Sequence, residues 1–330
     1  MTVADGPDGT SALRLHGQPV ATYTWRPDLP LAVSPRPYLH PVRTLAGTAV
    51  TEAMPDSHRH HLGVSIAVPE VDRANFWGGR TFLPGHGPAW LDNHGTQRHL
   101  RWVRRTATQL QHDLLWTTED GAELLSERRT ISCRPAPSDR AWILVTDFRL
   151  TNVSGRDVEI RSPASHGRVG AGYGGYFWRA PTGPGGTRVF TADADGIGAV
   201  HGARAPWLAV TGSDQGDRPW TLVFVGGTKQ TSEDPWFVRI RDYIGVGSAL
   251  SWERPLMIAP RETLHRRVAV VVADGTLPPD QAAPLVAEAG AVGHDRAADR
   301  QPEVDEDLVG DLDALGGRAR AAPCDGDLLQ

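Results

Sequence analysis

The chain has 330 residues, 40% hydrophobic and 22% charged, with 36 glycines, 26 prolines and a net charge of −5. That is a globular composition rich in turn formers, long enough to bury a sizeable core. Its arginines lie among acidic neighbours and Lys229 is its only lysine, which argues against nucleic acid as a partner, and no window reaches the roughly 18 apolar residues of a membrane span.

The opening stretch MTVADGPDGTSALRLHG has no basic segment leading into an apolar one, so no signal peptide is expected. Cys133 and Cys324 stand far apart and form neither a disulfide framework nor a paired metal motif, which fits a cytoplasmic protein. Period-two segments then recur along the chain. They fall at 62–68, 99–105, 110–116 and 123–132, and the clearest is AWILVTDFRLT at 141–151. There Trp142, Leu144, Thr146, Phe148 and Leu150 share one face of a strand. Further strands are expected at 206–212, 220–227, 236–242 and 266–275, separated by turn residues as antiparallel hairpins require.

The strands do not alternate with long helices, which excludes a doubly wound α/β sheet. One short helix is expected near 277–290, with Pro279 in its first turn. The reading is an all-β protein: a large antiparallel β-sandwich over residues 1–290, a short C-terminal helix, and a disordered tail at 291–330, where large apolar residues become scarce.

Candidate chemistry begins with DSHRHHLG, which holds His58, His60 and His61. On an extended segment His58 and His60 face one side and His61 the other, so only a turn brings all three together. Trp77 follows in NFWGGR, then Asp92 and His94 in WLDNHG. Imidazoles at this density suit general acid/base work or substrate hydrogen bonding. If a divalent metal is bound, His58, His60 and His94 are its expected ligands, although the spacing is no recognised zinc signature. No other cofactor is expected.

Glu127, beside Arg128 and Arg129, reads as half of a cross-strand ion pair. The glycine-rich stretch SPASHGRVGAGYGGYFWRAP at 162–181 carries His166, Arg168, Tyr173, Trp178 and Arg179. It lacks the terminal Gly-Lys-Ser/Thr of a phosphate loop and reads as a long ordered turn or a ligand-contacting loop. Trp77 and Trp178 are the tryptophans expected to offer an indole face to a sugar ring.

RPYLHPVRTLAGTAVTEAMPDSHRHHLGVSIAVPEVDRANFWGG, WLDNHG, FRLTNVSGRDVEI and GRVGAGYGGYFWRAP together resemble the bacterial family labelled PmoA-like, or methane oxygenase PmoA, across about residues 30–275. Members of that family typically carry an Asp-His-Pro-His-His block where this chain reads Ser57-His58-Arg59-His60-His61, and an asparagine where it has His166. Membrane oxidation does not follow from the label, because the chain has no apolar run of spanning length. FRLTNVSGRDVEI followed by a histidine-bearing loop is also similar to galactose-mutarotase-like supersandwiches. That resemblance implies a sugar cleft with His166 as acid and Glu253 as base. Relatives often lie near sugar-oxidising dehydrogenases, which implies a keto-sugar substrate and a sugar dehydrogenase as a pathway partner.

The leading expectation is a carbohydrate-active enzyme of isomerase, lyase or hydrolase type, with His60, His61, His166 and Glu253 catalytic. His58, Trp77, Asp92, His94, Arg168, Tyr173, Trp178 and Arg179 would bind substrate. The alternatives are a non-catalytic sugar-binding accessory module and a His-ligated metal-dependent oxygenase or hydrolase.

Overall fold

In a computed structural model that describes residues 9–291, the alternating pattern becomes strand pairing from the start. β1 (Thr10–Leu15) and β2 (Gln18–Thr24) form a hairpin, followed by β3 (Tyr38–Val42) and β4 (Val64–Ala67). Three short strands come next: β5 (Glu70–Val71), β6 (Thr81–Leu83) and β7 (Gly87–Ala89). A meander of long strands runs through β8 (Thr96–Arg105), β9 (Gln109–Thr117), β10 (Glu123–Pro135) and β11 (Ala141–Asn152). After β12 (Val158–Arg161), β13 (Gly175–Ala180) and β14 (Arg188–Phe190) come helix α1 (Ile197–Val200), β15 (Trp207–Ser213) and β16 (Pro219–Gly226). Helix α2 (Lys229–Glu233), β17 (Trp236–Arg239), β18 (Ile244–Ala249), β19 (Leu256–Ile258), β20 (Thr263–Asp274) and α3 (Pro279–Gly290) complete the order.

Two large antiparallel sheets carry the architecture. One has seven strands in the order β1-β2-β3-β4-β13-β18-β17, the other eight in the order β14-β15-β16-β20-β11-β10-β9-β8. Their facing sides share one core that includes Trp116, Trp142 and Trp220 from the larger sheet and Tyr23, Trp178 and Trp236 from the smaller. This is the expected all-β antiparallel sandwich, with the helix in its expected place. The amphipathic α3 lays Ala282, Leu285 and Ala289 over Ile143, Val145 and Val271 on the outer side of the larger sheet, so that sheet is apolar on both faces where the helix covers it. The expected tail lies outside the described residues, apart from Ala291.

Two expectations are corrected here. The stretch 162–181 is not one long turn, because its second part is β13, a central strand paired with β4 and β18. Gly175, at φ +126, permits that packing, since a Cβ there would stand 2.5 Å from the Ser248 carbonyl. Glu127 is not half of a cross-strand pair. It and Arg129 are two apart on β10, share its inner face, and meet along the strand.

That pair lies inside the sandwich, with both residues at 2% exposure or less. Arg129 donates from Nε to Glu127 Oε1 at 2.6 Å and from Nη2 to Oε2 at 2.7 Å. Its remaining donors reach Gln97, Tyr23 and Pro37, and Trp116 donates to Glu127 Oε2 at 2.8 Å. Every charge is therefore answered by short, oriented bonds, the condition under which a buried ion pair is tolerated. Arg129→Met should leave Glu127 buried without its partner and cost about 3–5 kcal/mol. Urea denaturation would read this, and a loss under 1 kcal/mol would refute the assigned role of the pair.

Candidate functional site

The outer face of the seven-stranded sheet carries the site. Alternation sends Tyr176, Trp178, Trp236, Val238, Ile244 and Val246 into the main core, and the intervening residues to the other side. There Phe177 and Phe237 join Ala67, Trp77 and Tyr243 in a second apolar cluster, with Tyr173 and Trp252 packed against it. On β18 the outward residues are Gly245 and Gly247, and their bare backbone admits the neighbouring rings. A Cβ on Gly245 would stand 2.7 Å from the Tyr243 ring and 3.1 Å from that of Phe177.

The three histidines stand over this cluster. A 3-10 turn at Asp56–His58, closed by the His61 amide donating to the His58 carbonyl at 2.8 Å, supplies the turn that an extended segment lacks. The ring centroids of His60 and His61, and of His58 and His61, lie 4.7 Å apart. His61 also packs 5.1 Å from Phe177, 5.0 Å from Tyr243 and 5.8 Å from Trp77. Arg179, on β13, donates from Nη1 to His61 Nδ1 at 3.3 Å and from Nε to Glu52 at 2.8 Å. The contact assigns the neutral His61 proton to Nε2. Burial is the largest influence on all three imidazoles, and neighbouring positive groups act in the same direction. His58 is held below the usual histidine range, His60 is pushed down to about 3, and His61 is held well below. At neutral pH the triplet is uncharged.

Loops around the triplet are fixed by Arg36, which is 1% exposed. Its guanidinium donates to the carbonyls of His60 at 2.7 Å and of Val33, Ser34 and Trp77 at 3.0 Å, and to Ser65 Oγ at 3.2 Å. Asn75 shapes the next turn by accepting from the amides of Trp77 and Gly78, both at 2.8 Å. Gly79 gives His60 its seat, because a Cβ there would lie 2.8 Å from the imidazole Nδ1. On the same residue, the carbonyl accepts from His94 Nε2 at 2.7 Å.

A second subsite adjoins the first. Ser162 caps the short helix Pro163–His166, and Gly167 ends it at φ +91, which aims His166 at Glu70 on β5. Their side chains meet at 2.7 Å, each about one-fifth exposed. The pair lines a narrow cleft with Trp77, Arg80, Phe82 and Tyr173. Trp77 belongs to both subsites, with its ring 4.6 Å from Tyr173 and 5.8 Å from His61. Burial pushes the Tyr173 hydroxyl up to about 12, so it stays a proton donor across the working range.

The structure therefore brings together His58, His60, His61, Trp77, His94, His166, Tyr173 and Arg179. Arg168 stands at the rim, exposed, with its guanidinium 5.8 Å from the Phe82 ring centre. Asp92 is exposed and Glu253 is exposed on the turn after β18, each without a side-chain hydrogen bond among the described residues. The carboxylate facing His166 is Glu70, not Glu253. Trp178 is corrected outright, because it is fully buried in the main core and donates to the Val50 carbonyl at 2.8 Å. Among the described residues no group of three or more His, Cys, Asp or Glu is arranged to hold a metal ion, and Nε2 of His94 is engaged by a backbone carbonyl. The conditional metal set His58, His60 and His94 is therefore not assembled.

A family profile matches residues 10–287. The chain belongs to the family described as Family of unknown function (DUF6807). That description carries neither the PmoA name nor an activity. No curated protein matches this DUF6807 chain. Among solved structures it is similar to an Escherichia coli K12 protein assigned as an aldose 1-epimerase, at 9% identity, 81% of this chain, 100% of that chain and a TM-score of 0.39. It is also similar to the GH36 α-galactosidase AgaA of Geobacillus stearothermophilus, at 11% identity and a TM-score of 0.39, covering 81% of this chain but only 41% of the enzyme. A galactose mutarotase related enzyme of Lactobacillus acidophilus matches at 11% identity and a TM-score of 0.27, over 54% of this chain and 73% of that one. With every TM-score below 0.5, these likenesses carry no activity across. Among the described residues no helix is long and apolar enough to cross a membrane.

Glu70, Arg36, Asn75, Phe177 and Tyr243 were not singled out by sequence. Glu70 and His166 are 96 residues apart, and no local spacing joins them. Arg36 stood in a quoted motif, RPYLHP, but nothing in that motif marks a buried guanidinium.

The neutral triplet sets the acid limb of stability. His60 titrates near 6.5 when unfolded and about 3 when folded, so the unfolded chain binds more protons between those values. Stability should therefore fall as pH drops below 6.5, with His60 alone removing on the order of 2 kcal/mol by about pH 5. Urea midpoints at pH 7 and pH 5 would measure the drop, and His60→Gln should reduce it by about that amount, with His61 and His112 carrying a remainder; an equal drop in that variant would show His60 not to contribute.

Proposed function

We propose that this protein is a carbohydrate-active enzyme that binds a sugar or keto-sugar at the mouth of the His166 cleft and moves a proton through His166, oriented by Glu70. The observation that carries this reading is the 2.7 Å His166–Glu70 contact in a cleft shared with two aromatic rings. A histidine held by a carboxylate is a standard proton carrier. With its Nε2 proton donated to Glu70, His166 keeps a lone pair on Nδ1, which has no hydrogen-bond partner among the described residues. That nitrogen takes a proton from a sugar hydroxyl or from a carbon beside a carbonyl. The resulting imidazolium is stabilised by the Glu70 carboxylate, and the proton is then returned.

In this reading Glu70 replaces Glu253 as the essential carboxylate. The neutral triplet of His58, His60 and His61 lines no part of this cleft and supports it through Trp77, which packs on His61. An isomerase or epimerase is the simplest case, since proton removal and return need no further reactant.

The test is NMR in deuterated water with a panel of aldoses, ketoses and oxidised sugars. Solvent deuterium should enter the substrate, or its anomers should exchange faster, with wild-type protein. His166→Ala should lower the rate about 10²–10⁴-fold and Glu70→Gln should lower it with binding retained. Sugar binding without exchange would make the protein a binding module. No binding at all would refute the sugar reading.

A further inference from the structure

The cleft in front of His166 holds more positive charge than the His166–Glu70 pair uses. Glu70 is the acidic residue among those lining it, and its carboxylate is engaged by His166. Arg80 lines the same cleft, and no ion pair or hydrogen bond engages its side chain among the described residues. Arg168 has no carboxylate partner either. Its guanidinium lies over the ring of Phe82, 5.8 Å from the ring centre. Tyr173 and Phe82 both line the cleft.

Arginines elsewhere in this chain show the contrast. Arg179 is paired with Glu52, Arg239 with Asp242 and Arg161 with Glu159, and the guanidinium of Arg36 is buried on backbone carbonyls, so these positive groups are already engaged. Arg80 and Arg168 are not. Arg168 moreover lies over an aromatic ring, which leaves its charge available. A guanidinium presents a planar fork that matches a carboxylate bidentately.

We propose that the substrate is a carboxylated sugar, a uronate or a keto-aldonate, whose carboxylate is bound by Arg168 and Arg80 while its ring lies at the mouth of the His166 cleft. This rests on the proposed sugar reading of the same cleft and adds the charge of the ligand to it. The carboxylate also places the acidic carbon: a C–H beside it would face His166, and the two arginines would hold the negative charge that develops when that proton leaves.

Binding of glucuronate, galacturonate, glucose, galactose and glucose 6-phosphate, each measured by calorimetry and by shift in Tm, tests this. Wild-type protein should bind one uronate at least about tenfold more tightly than its neutral parent sugar. Arg168→Gln and Arg80→Gln, both exposed positions at which folding should survive, should each lower the ratio of uronate to neutral-sugar affinity about tenfold. Equal affinity for uronate and neutral sugar would overturn the inference and leave the sugar reading standing. Tighter binding of the phosphate than of either uronate would overturn the carboxylate assignment. Failure of every sugar to bind would overturn both readings together.

Discussion

The arrangement depends on one buried guanidinium. Arg36 has no carboxylate partner and distributes its charge over four backbone carbonyls and a serine hydroxyl. Those acceptors belong to three different parts of the chain: the turn before β3, the histidine turn, and the Trp77 loop, with Ser65 on β4 beneath them. The neighbouring residues are pinned as well. Ser34 Oγ donates to the Asn75 carbonyl at 2.6 Å, and the Pro37 carbonyl accepts from Arg129 inside the sandwich. Residues 34–37 thus connect the interior polar network to the loops on the outer face. Burial, with the nearby charge of Arg129, pushes Arg36 down to about 9, which still leaves it a cation at neutral pH. A methionine of similar length could fill the space, but it would leave those carbonyls without donors.

The same arrangement accounts for the neutrality of the histidines. Arg36 and Arg179 place fixed positive charge beside imidazoles already removed from water, so protonation is opposed twice, by desolvation and by like charge. His166 differs. It sits at the solvent edge with a carboxylate at 2.7 Å, and an imidazolium there has a partner. One region thus holds histidines in two electrostatic settings, three beside fixed positive charge and one beside a carboxylate.

Much of the fold was legible because period-two alternation is a local signal. AWILVTDFRLT became β11 almost residue for residue, and the one expected helix begins at Pro279. The site was legible in composition but not in partners. His58, His60, His61, Trp77 and His94 were visible as a density of imidazole and indole, yet Glu70 and Arg36 make their contacts across tens of residues. Trp178 shows the limit of the aromatic argument. It is next to Phe177 in the chain, but strand alternation sends one ring outward to His61 and the other into the main core. A glycine-rich stretch hid that strand, since the glycines that admit close backbone neighbours read as a turn.

The outer cluster also explains why β18 carries Ile244-Gly245-Val246-Gly247. A central strand in a sandwich must satisfy the core on one side, which Ile244 and Val246 do. On the other side a large residue would fill the space taken by Phe177 and Tyr243, and those rings support His61. Glycine in a strand interior weakens the strand, so two of them on one face mark a place where backbone propensity yields to the shape required above it. The result is a floor of aromatic rings set low against the sheet, with Trp77 rising as the wall common to the neutral histidines and the His166–Glu70 cleft. Because the Trp77 carbonyl is bonded to Arg36 and its amide to Asn75, the wall cannot shift without breaking bonds to both. The side of the cleft that Trp77 forms is therefore set by the histidine turn behind it.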